Sequence, residues 1–514
     1  MIVHYWLNPW QVPWRVWKDK SMKLVAVIGG GLTGLAAAYY LGQAKPDWTI
    51  DLYEAHSNLG GKIQTKRMDG FVVELGPDSY LARKSEMTDL ICDLGLADQL
   101  VANATGQAYV YTEGKIHPIP GGAIMGIPSK MGPFITSSLI SWSGKLRAGL
   151  DIFKGPVKLD KDGDISIGHF FLHHLGQEMM DKLIEPLLSG IYGGDIYKIS
   201  IQSTFPHFIQ VEQKYGNMVK GMINSAKAHK KAGVENVTKQ TQGVEGDAEP
   251  APPVKQEAPR QAAPKLKGGL FRQLKDGLYA VVEAIEAQMP SNVTIHKSSP
   301  VEVLVYNKDS DTYHVTVKGQ VCEADDVIIA TPPASYRTWF EGDKAMEPLY
   351  TMDQTSCAIA IMAFEKDSFD ANLLGSGLLV TRKTDTPVTA CTNLSQKWPQ
   401  TTPEDKIVLR VFLGKPGNHA VEEHDDEGLK ALAVEEIHKL LGFTAKPSWV
   451  EINRLVHCMP QYYVGHKVAI DKVRQYIHDT YPRLYTIGTP FDGIGIPDGV
   501  KQAKELVEKL KKEA

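Results

Sequence analysis

Residues 24–28 form a short apolar, largely β-branched run that leads directly into Gly29-Gly30-Gly31-Leu32-Thr33-Gly34. An alanine-rich stretch over residues 35–41 and a second apolar run over residues 49–53 follow. The periodicities and turn residues predict strand, turn, helix, strand in that order. Gly29, Gly31 and Gly34 make a G-x-G-x-x-G pattern. Without side chains they permit a tight turn, approach of the backbone to a pyrophosphate and close helix packing. The helix N-terminus supplies the positive dipole end. Glu54 stands 20 residues after Gly34, at the end of the second strand. A carboxylate there accepts hydrogen bonds from both hydroxyls of an adenosine ribose. The unit predicts an α/β fold with a Rossmann-like dinucleotide-binding domain.

The chain has 514 residues, 43% of them hydrophobic, enough for two domain-sized cores. Its 56 Lys and Arg stand against 60 Asp and Glu, a net charge of −4, so no global basic field favours a nucleic-acid backbone. Cys92, Cys322, Cys357, Cys391 and Cys458 are scattered and form no CxxC pair, which predicts reduced thiols and a cytoplasmic protein. No apolar run reaches the roughly 18–20 residues of a membrane-spanning helix. Membrane contact is expected to be peripheral at most. Residues 1–21, with Trp6, Trp10, Trp14 and Trp17 at near-helical spacing interrupted by Pro9 and Pro13, read as a disordered tail or an over-called start. Residues 230–268 lose nearly all large apolar side chains and gain proline, the composition of a disordered insertion.

Apolar spacing predicts helices over residues 86–95 and 165–188, helix character over 271–287, and a final helix over 500–511. Residues 301–305, 313–317 and 326–330 read as strands separated by turn residues. His169, His173 and His174 have helical spacing, but no HExxH pattern or cysteine pair completes a metal site. The acidic run around His424 reads as a solvated loop or a helix start, and Tyr462 and Tyr463 as packing aromatics.

Longer strings carry a resemblance. Gly60-Gly61-Lys62 and Glu74-Leu75-Gly76-Pro77 follow Glu54, and Gly488 precedes Asp492-Gly493-Ile494-Gly495-Ile496-Pro497-Asp498. These are similar to the flavin-dependent amine oxidase superfamily. More specific are Gly76-Pro77-Asp78-Ser79-Tyr80-Leu81-Ala82-Arg83-Lys84, the string from Leu183 to Asp195 around Pro186 and Tyr192, and Met459-Pro460-Gln461-Tyr462 with Gly465-His466. All three resemble the protoporphyrinogen and coproporphyrinogen III oxidase family, in its bacterial coproporphyrinogen branch. The resemblance runs from about Met22 to Leu510. It departs at Lys62, where Arg is commoner and only a point charge is kept, and at Leu455, where an aromatic residue is frequent.

The resemblance implies FAD as cofactor. It would be held by Gly29, Gly30, Gly31, Leu32, Thr33, Gly34, Glu54, Ala55, Lys62, Leu75, Gly76, Pro77, Asp78, Val301, Gly493, Gly495, Ile496 and Pro497. It implies an FAD-binding domain from residues 22–84, 269–335 and 450–514, a helical and substrate-binding region over 85–229, and an α+β substrate-binding domain over 336–449. The implied activity is oxidation of coproporphyrinogen III to coproporphyrin III in haem biosynthesis, in three two-electron cycles with molecular oxygen as acceptor. Protoporphyrinogen IX is the alternative substrate. Another superfamily oxidase or an inactive flavin-binding protein stand further off. A methylene bridge between two pyrroles gives up hydride with little acid or base help, so no catalytic side chain is nominated. Arg83 and Lys84 are the candidates for a propionate anchor. Gly190 and Tyr192 are the candidates for contact with the ring face, with a helix C-cap as the plainer reading of the glycines. The resemblance also leaves room for transient contact with other haem-pathway enzymes.

Overall fold

A five-stranded parallel sheet organises one half of the molecule, a computed structural model that describes residues 22–124, 127–128, 131–221, 264, 266, 268–371 and 374–512. Its strands run in the order Val293–His296, Thr49–Tyr53, Leu24–Ile28, Asp326–Ile329, Leu484–Thr486. All four pairings are parallel. A strand buried on both faces reads as a continuous apolar run. That is why Leu24–Ile28 at the centre lacks alternation. The helix Leu32–Ala44 is apolar nearly all round because it lies between this sheet and the C-terminal helix Ile496–Lys512. The last helix buries Val500, Ala503, Leu506, Val507 and Leu510 as one stripe and keeps its lysines outside.

The second sheet has seven strands in the order Trp449–Pro460, Gln354–Glu365, Lys406–Leu413, Val388–Asn393, Gly377–Val380, Ala108–Thr112, Lys115–Pro118. It is antiparallel except where Gly377–Val380 meets Ala108–Thr112. The helix Asp426–Leu441 packs on it, N-capped by Asp425, whose carboxylate accepts from Gly428 N at 2.8 Å. The acidic run is thus a helix start. A third layer, helical, spans Ile167–Leu175, a π-helical turn at Met180–Ile184, Glu185–Tyr192 and Pro206–Tyr215 around Phe170, Phe171, Leu183 and Phe208.

Two expectations are corrected. Phe271–Leu274 is a strand paired with Tyr80–Leu81 and Leu100–Ala102, and the helix begins only at Tyr279, because Asp276-Gly277 breaks the segment at a glycine with φ +83°. Trp449–Pro460, expected with the FAD-binding part from residue 450, is the edge strand of the antiparallel sheet. Its apolar residues find a long partner in Gln354–Glu365. The expected tail over residues 1–21 and most of the expected insertion over 230–268 lie outside the described residues. Among the described residues no helix is long and apolar enough to cross a membrane.

Candidate active site

The turn between the first strand and first helix is fixed by contacts that exclude side chains. Gly29 has φ +109°, and its N–H donates to Tyr53 O at 2.8 Å. A Cβ on Gly34 would run into the Gly29 carbonyl, so only glycine lets the helix sit this close to the strand. Gly31, the N-cap of the helix, is the opposite case: no atom lies within 4 Å of where its Cβ would be. The cradle is therefore closed at its base and open at the helix N-terminus, the form a diphosphate requires. Leu32 is buried in the first helical turn, while Thr33 faces Gly499, where the C-terminal helix docks.

Glu54 is buried and holds this turn from the second strand. Oε2 accepts from Gly30 N at 2.7 Å and Oε1 from His56 N at 2.8 Å, with Ala55 exposed between them. Each oxygen keeps a free lone pair for a ribose hydroxyl. Val301 begins the strand Val301–Asn307, and its carbonyl accepts from Trp339 Nε1 at 3.1 Å.

The loop before the C-terminal helix is braced from both sides. Gln502, buried in that helix, accepts from Gly488 N at 2.9 Å and donates to Asp492 O at 3.1 Å. Tyr462 donates to Thr489 O and stacks on His466 at 4.1 Å. Burial pushes the His466 imidazole down to about 4, so this ring is neutral. Asp498 accepts from Gly495 N at 3.2 Å beside Gly493, Ile496 and Pro497, and its other oxygen pairs with the Lys84 ammonium. Sequence reading offered Lys84 to a substrate carboxylate; the fold places it on Asp498. Arg83 next to it is exposed, with no carboxylate partner among the described residues. Burial, reinforced by the Arg83 charge, lowers the pKa of the neighbouring His207.

The porphyrinogen-like strings converge here. Gln461 Nε2 donates to Tyr192 O and Met459 O, both at 2.9 Å, and to Thr355 Oγ1 at 3.2 Å. Ser200 N donates to Tyr462 O at 2.7 Å. Gly193, with φ +64°, is the left-handed C-cap of the helix Glu185–Tyr192, while Gly190 has only Leu379 Cδ2, at 4.0 Å, in its Cβ direction. The cap reading thus describes Gly193, and Gly190 is the glycine that leaves room. Burial, with Asp498 adding to it, holds the Tyr192 phenol well above its ordinary range, so it stays protonated. Ile494 of the loop packs into the same helical cluster as Tyr192. At the head of that helix burial lifts the Glu185 carboxyl to about 7.

Lys62 and the residues from Leu75 to Asp78 form the seam between the two sheets. The Lys62 ammonium donates to Cys458 O, and burial lowers its pKa. Leu75 O accepts from Asn453 Nδ2 at 2.8 Å and Gly76 O from Arg410 Nη2, with Pro77 half-buried beside them. Asp78 meets Lys397 Nζ at 2.7 Å and Arg410 Nη1 at 3.8 Å. Burial alone would raise its pKa, but the two cations outweigh it and hold the carboxylate well below its usual range. Sequence reading missed Arg410, Lys397 and Gln502. No local pattern announces them, because Arg410 and Lys397 act on residues distant in the chain and Gln502 on the loop before its helix.

Comparison with known proteins agrees with this geometry. The model of the flavin containing amine oxidoreductases matches residues 32–508. The chain belongs to that family. A coproporphyrinogen III oxidase of Staphylococcus aureus (strain NCTC 8325 / PS 47) is 40% identical over 95% of this chain and 99% of its own. One of Bacillus subtilis (strain 168) is 37% identical over 94% and 97%. A solved Exiguobacterium sp. 255-15 structure carrying a protoporphyrinogen oxidase name is 34% identical, with TM-score 0.80, covering 96% of this chain and 99% of that one. As a flavin containing amine oxidoreductase in the coproporphyrinogen III oxidase branch, the protein uses FAD. The open cradle at Gly31 and the half-used carboxylate of Glu54 fit that cofactor.

Proposed function

We propose that the protein oxidises coproporphyrinogen III to coproporphyrin III in haem biosynthesis, with molecular oxygen as acceptor. The observation that carries this reading is the meeting of Tyr192 with the loop that holds Ile494 and Asp498, with Gly190 two residues before Tyr192 in the same helix. It gives a glycine-lined, mostly apolar wall against the flavin loop, suited to a flat macrocycle. Bound FAD supplies the two-electron acceptor for hydride from a methylene bridge. The chain's own residues bind and orient: Gly190 leaves space for the ring face and Tyr192 donates from a protonated phenol. Arg83 at the exposed edge takes a propionate, the one bonding partner a bare guanidinium there lacks. The product, a metal-free porphyrin, next meets a metal-inserting reaction, so transient contact with other haem-pathway enzymes belongs to the same reading. Porphyrin fluorescence is followed with the FAD-loaded protein and coproporphyrinogen III or protoporphyrinogen IX in parallel, each corrected for spontaneous oxidation. A faster rise with the first supports the reading; preference for the second moves the enzyme to the later substrate, and no rise with either overturns it.

Peripheral attachment to an anionic membrane surface belongs to the same proposal. Trp142, Leu146, Leu150 and Phe153 fall on one face of the consecutive helical turns Trp142–Gly149 and Leu150–Phe153, and Trp142, Leu146 and Phe153 are 67%, 70% and 85% exposed. Lys145, Arg147 and Lys154 around them donate to carbonyls of Ile135, Ser137 and His173 rather than to carboxylates. The only acid in residues 131–158, Asp151, is buried against His174, so the face is both apolar and unneutralised in charge. Sedimentation with phosphatidylglycerol-containing vesicles should carry the protein down, weakened by salt and by Phe153→Glu. Protein left in the supernatant with anionic vesicles at low salt would remove this attachment from the reading.

A further inference from the structure

Cys357 and Cys458 are 101 residues apart in the chain, yet the fold makes them neighbours. They lie on the paired strands Gln354–Glu365 and Trp449–Pro460, where the register shifts: Thr355 faces Met459, but Cys357 already faces Leu455. The extra residues bulge on the second strand. His457 sits there at φ +45°, a left-handed conformation that a non-glycine residue adopts only under local constraint, with its N–H donating to Ser356 Oγ at 3.1 Å. The bulge sets Cys458 diagonally across the strand pair from Cys357, and each sulfur acts electrostatically on the other. Lys62 closes the third side: its ammonium donates to the Cys458 carbonyl and its charge acts on both sulfurs. The neighbouring Cys357 and then the Lys62 charge lower the Cys458 pKa against the opposing effect of burial. Cys92 and Cys391 are buried elsewhere, and Cys322 lies in a different sheet.

We propose that Cys357 and Cys458 are a peroxide-responsive dithiol at the seam between the two sheets, with Cys458 as the attacking sulfur and Cys357 as the resolving one. Cys458 thiolate attacks one oxygen of hydrogen peroxide; the O–O bond breaks, the departing hydroxide takes up a proton as water, and Cys458 becomes a sulfenic acid. The Cys357 sulfur then attacks Cys458 Sγ; an S–S bond forms, the S–O bond breaks, and the leaving hydroxide departs as water with the Cys357 proton. The two thiols lose two electrons and the peroxide is reduced to two waters. An oxygen-linked oxidase makes this oxidant within its own structure, so the pair is placed to take peroxide before other side chains do. The chemistry itself does not depend on which porphyrinogen is the substrate.

The test treats the reduced, FAD-loaded protein with a small molar excess of hydrogen peroxide, without any porphyrinogen, so that its outcome is independent of the substrate assay. Denatured thiols are titrated, and peptides are analysed by mass spectrometry without reduction. Two of the five thiols should be lost, a single peptide should bridge Cys357 to Cys458, and dithiothreitol should restore both. Cys458→Ser should suppress the loss. Cys357→Ser should leave Cys458 as a sulfenic acid that dimedone captures. Flavin absorbance checks that both variants remain folded, and the bridged wild-type peptide stands without them. Five surviving thiols, loss at Cys92, Cys322 or Cys391 instead, or over-oxidised Cys458 without a bridge would overturn the proposal.

Discussion

Arg83 and Lys84 are adjacent, equally basic and equally attractive to a carboxylate as bare sequence, yet the fold separates them: Lys84 is spent on Asp498 and Arg83 is left exposed. Replacement of Arg83 by Ala should therefore raise KM for coproporphyrinogen by roughly tenfold or more, the scale of a charge-assisted hydrogen bond of about 1.5–3 kcal/mol, with a smaller change in kcat. Steady-state kinetics on both porphyrinogens would check it, and an unchanged KM would take Arg83 out of the substrate site. Lys84→Ala acts differently, because it frees Asp498 at the loop that holds Gly493 and Gly495; its effect should show as weaker FAD retention. The glycines of the cradle were legible because their role is steric and local. The partner of Lys84 was not, since it lies 414 residues away in the chain.

At the scale of elements, the helical layer depends on a clamp that sequence spacing presented only as a histidine cluster. His174, fully buried in Ile167–Leu175, has Nδ1 at 2.6 Å from Asp151 and Nε2 at 2.7 Å from Glu212. Burial alone would push its pKa down, but the Asp151 hydrogen bond and the charges of the two carboxylates outweigh it and hold the imidazolium above its ordinary value of 6.5. A group whose pKa is higher folded than unfolded contributes its full stabilisation below the unfolded value and loses it as pH rises through the folded one. Thermal melting should accordingly decline as pH rises above about 6.5. His174→Asn should abolish that part of the slope and destabilise the layer by about 3–5 kcal/mol, because two buried carboxylates are left without their cation. A melting temperature independent of pH from 6 to 9 in the wild type would contradict the clamp. Strands were legible where burial is continuous, as at Leu24–Ile28. They were misread where a strand and a helix share one apolar stretch, as at Phe271–Leu274 before Tyr279–Ala287, because only Gly277 marks the change.

At the scale of the whole molecule, the cofactor cradle is assembled from parts that meet only when everything else has folded. Leu24–Ile28 and Gly31 come from near the start, Asp326–Ile329 from the middle, and the braced loop with Gln502 from the end. Ile494 of that loop packs into the helical layer, and the seam at Arg410, Asp78 and Lys397 joins the parallel sheet's side to the antiparallel one. FAD binding should thus stabilise all three layers together. Free FAD at a hundredfold excess over its Kd adds about 2.7 kcal/mol by mass action, enough to raise the melting temperature by a few degrees. Tryptophan fluorescence, to which Trp398, fully buried in the Phe71 and Ile361 core cluster between the sheets, contributes as one of nine tryptophans, follows unfolding of the chain, and flavin fluorescence reports release of the cofactor. The two signals should change at one temperature in the FAD-loaded protein, and the tryptophan signal should fall to a lower temperature once FAD is stripped. If the tryptophan transition stayed where it was after stripping, the seam would not couple the sheets, and Arg410 would hold only its own strand in place.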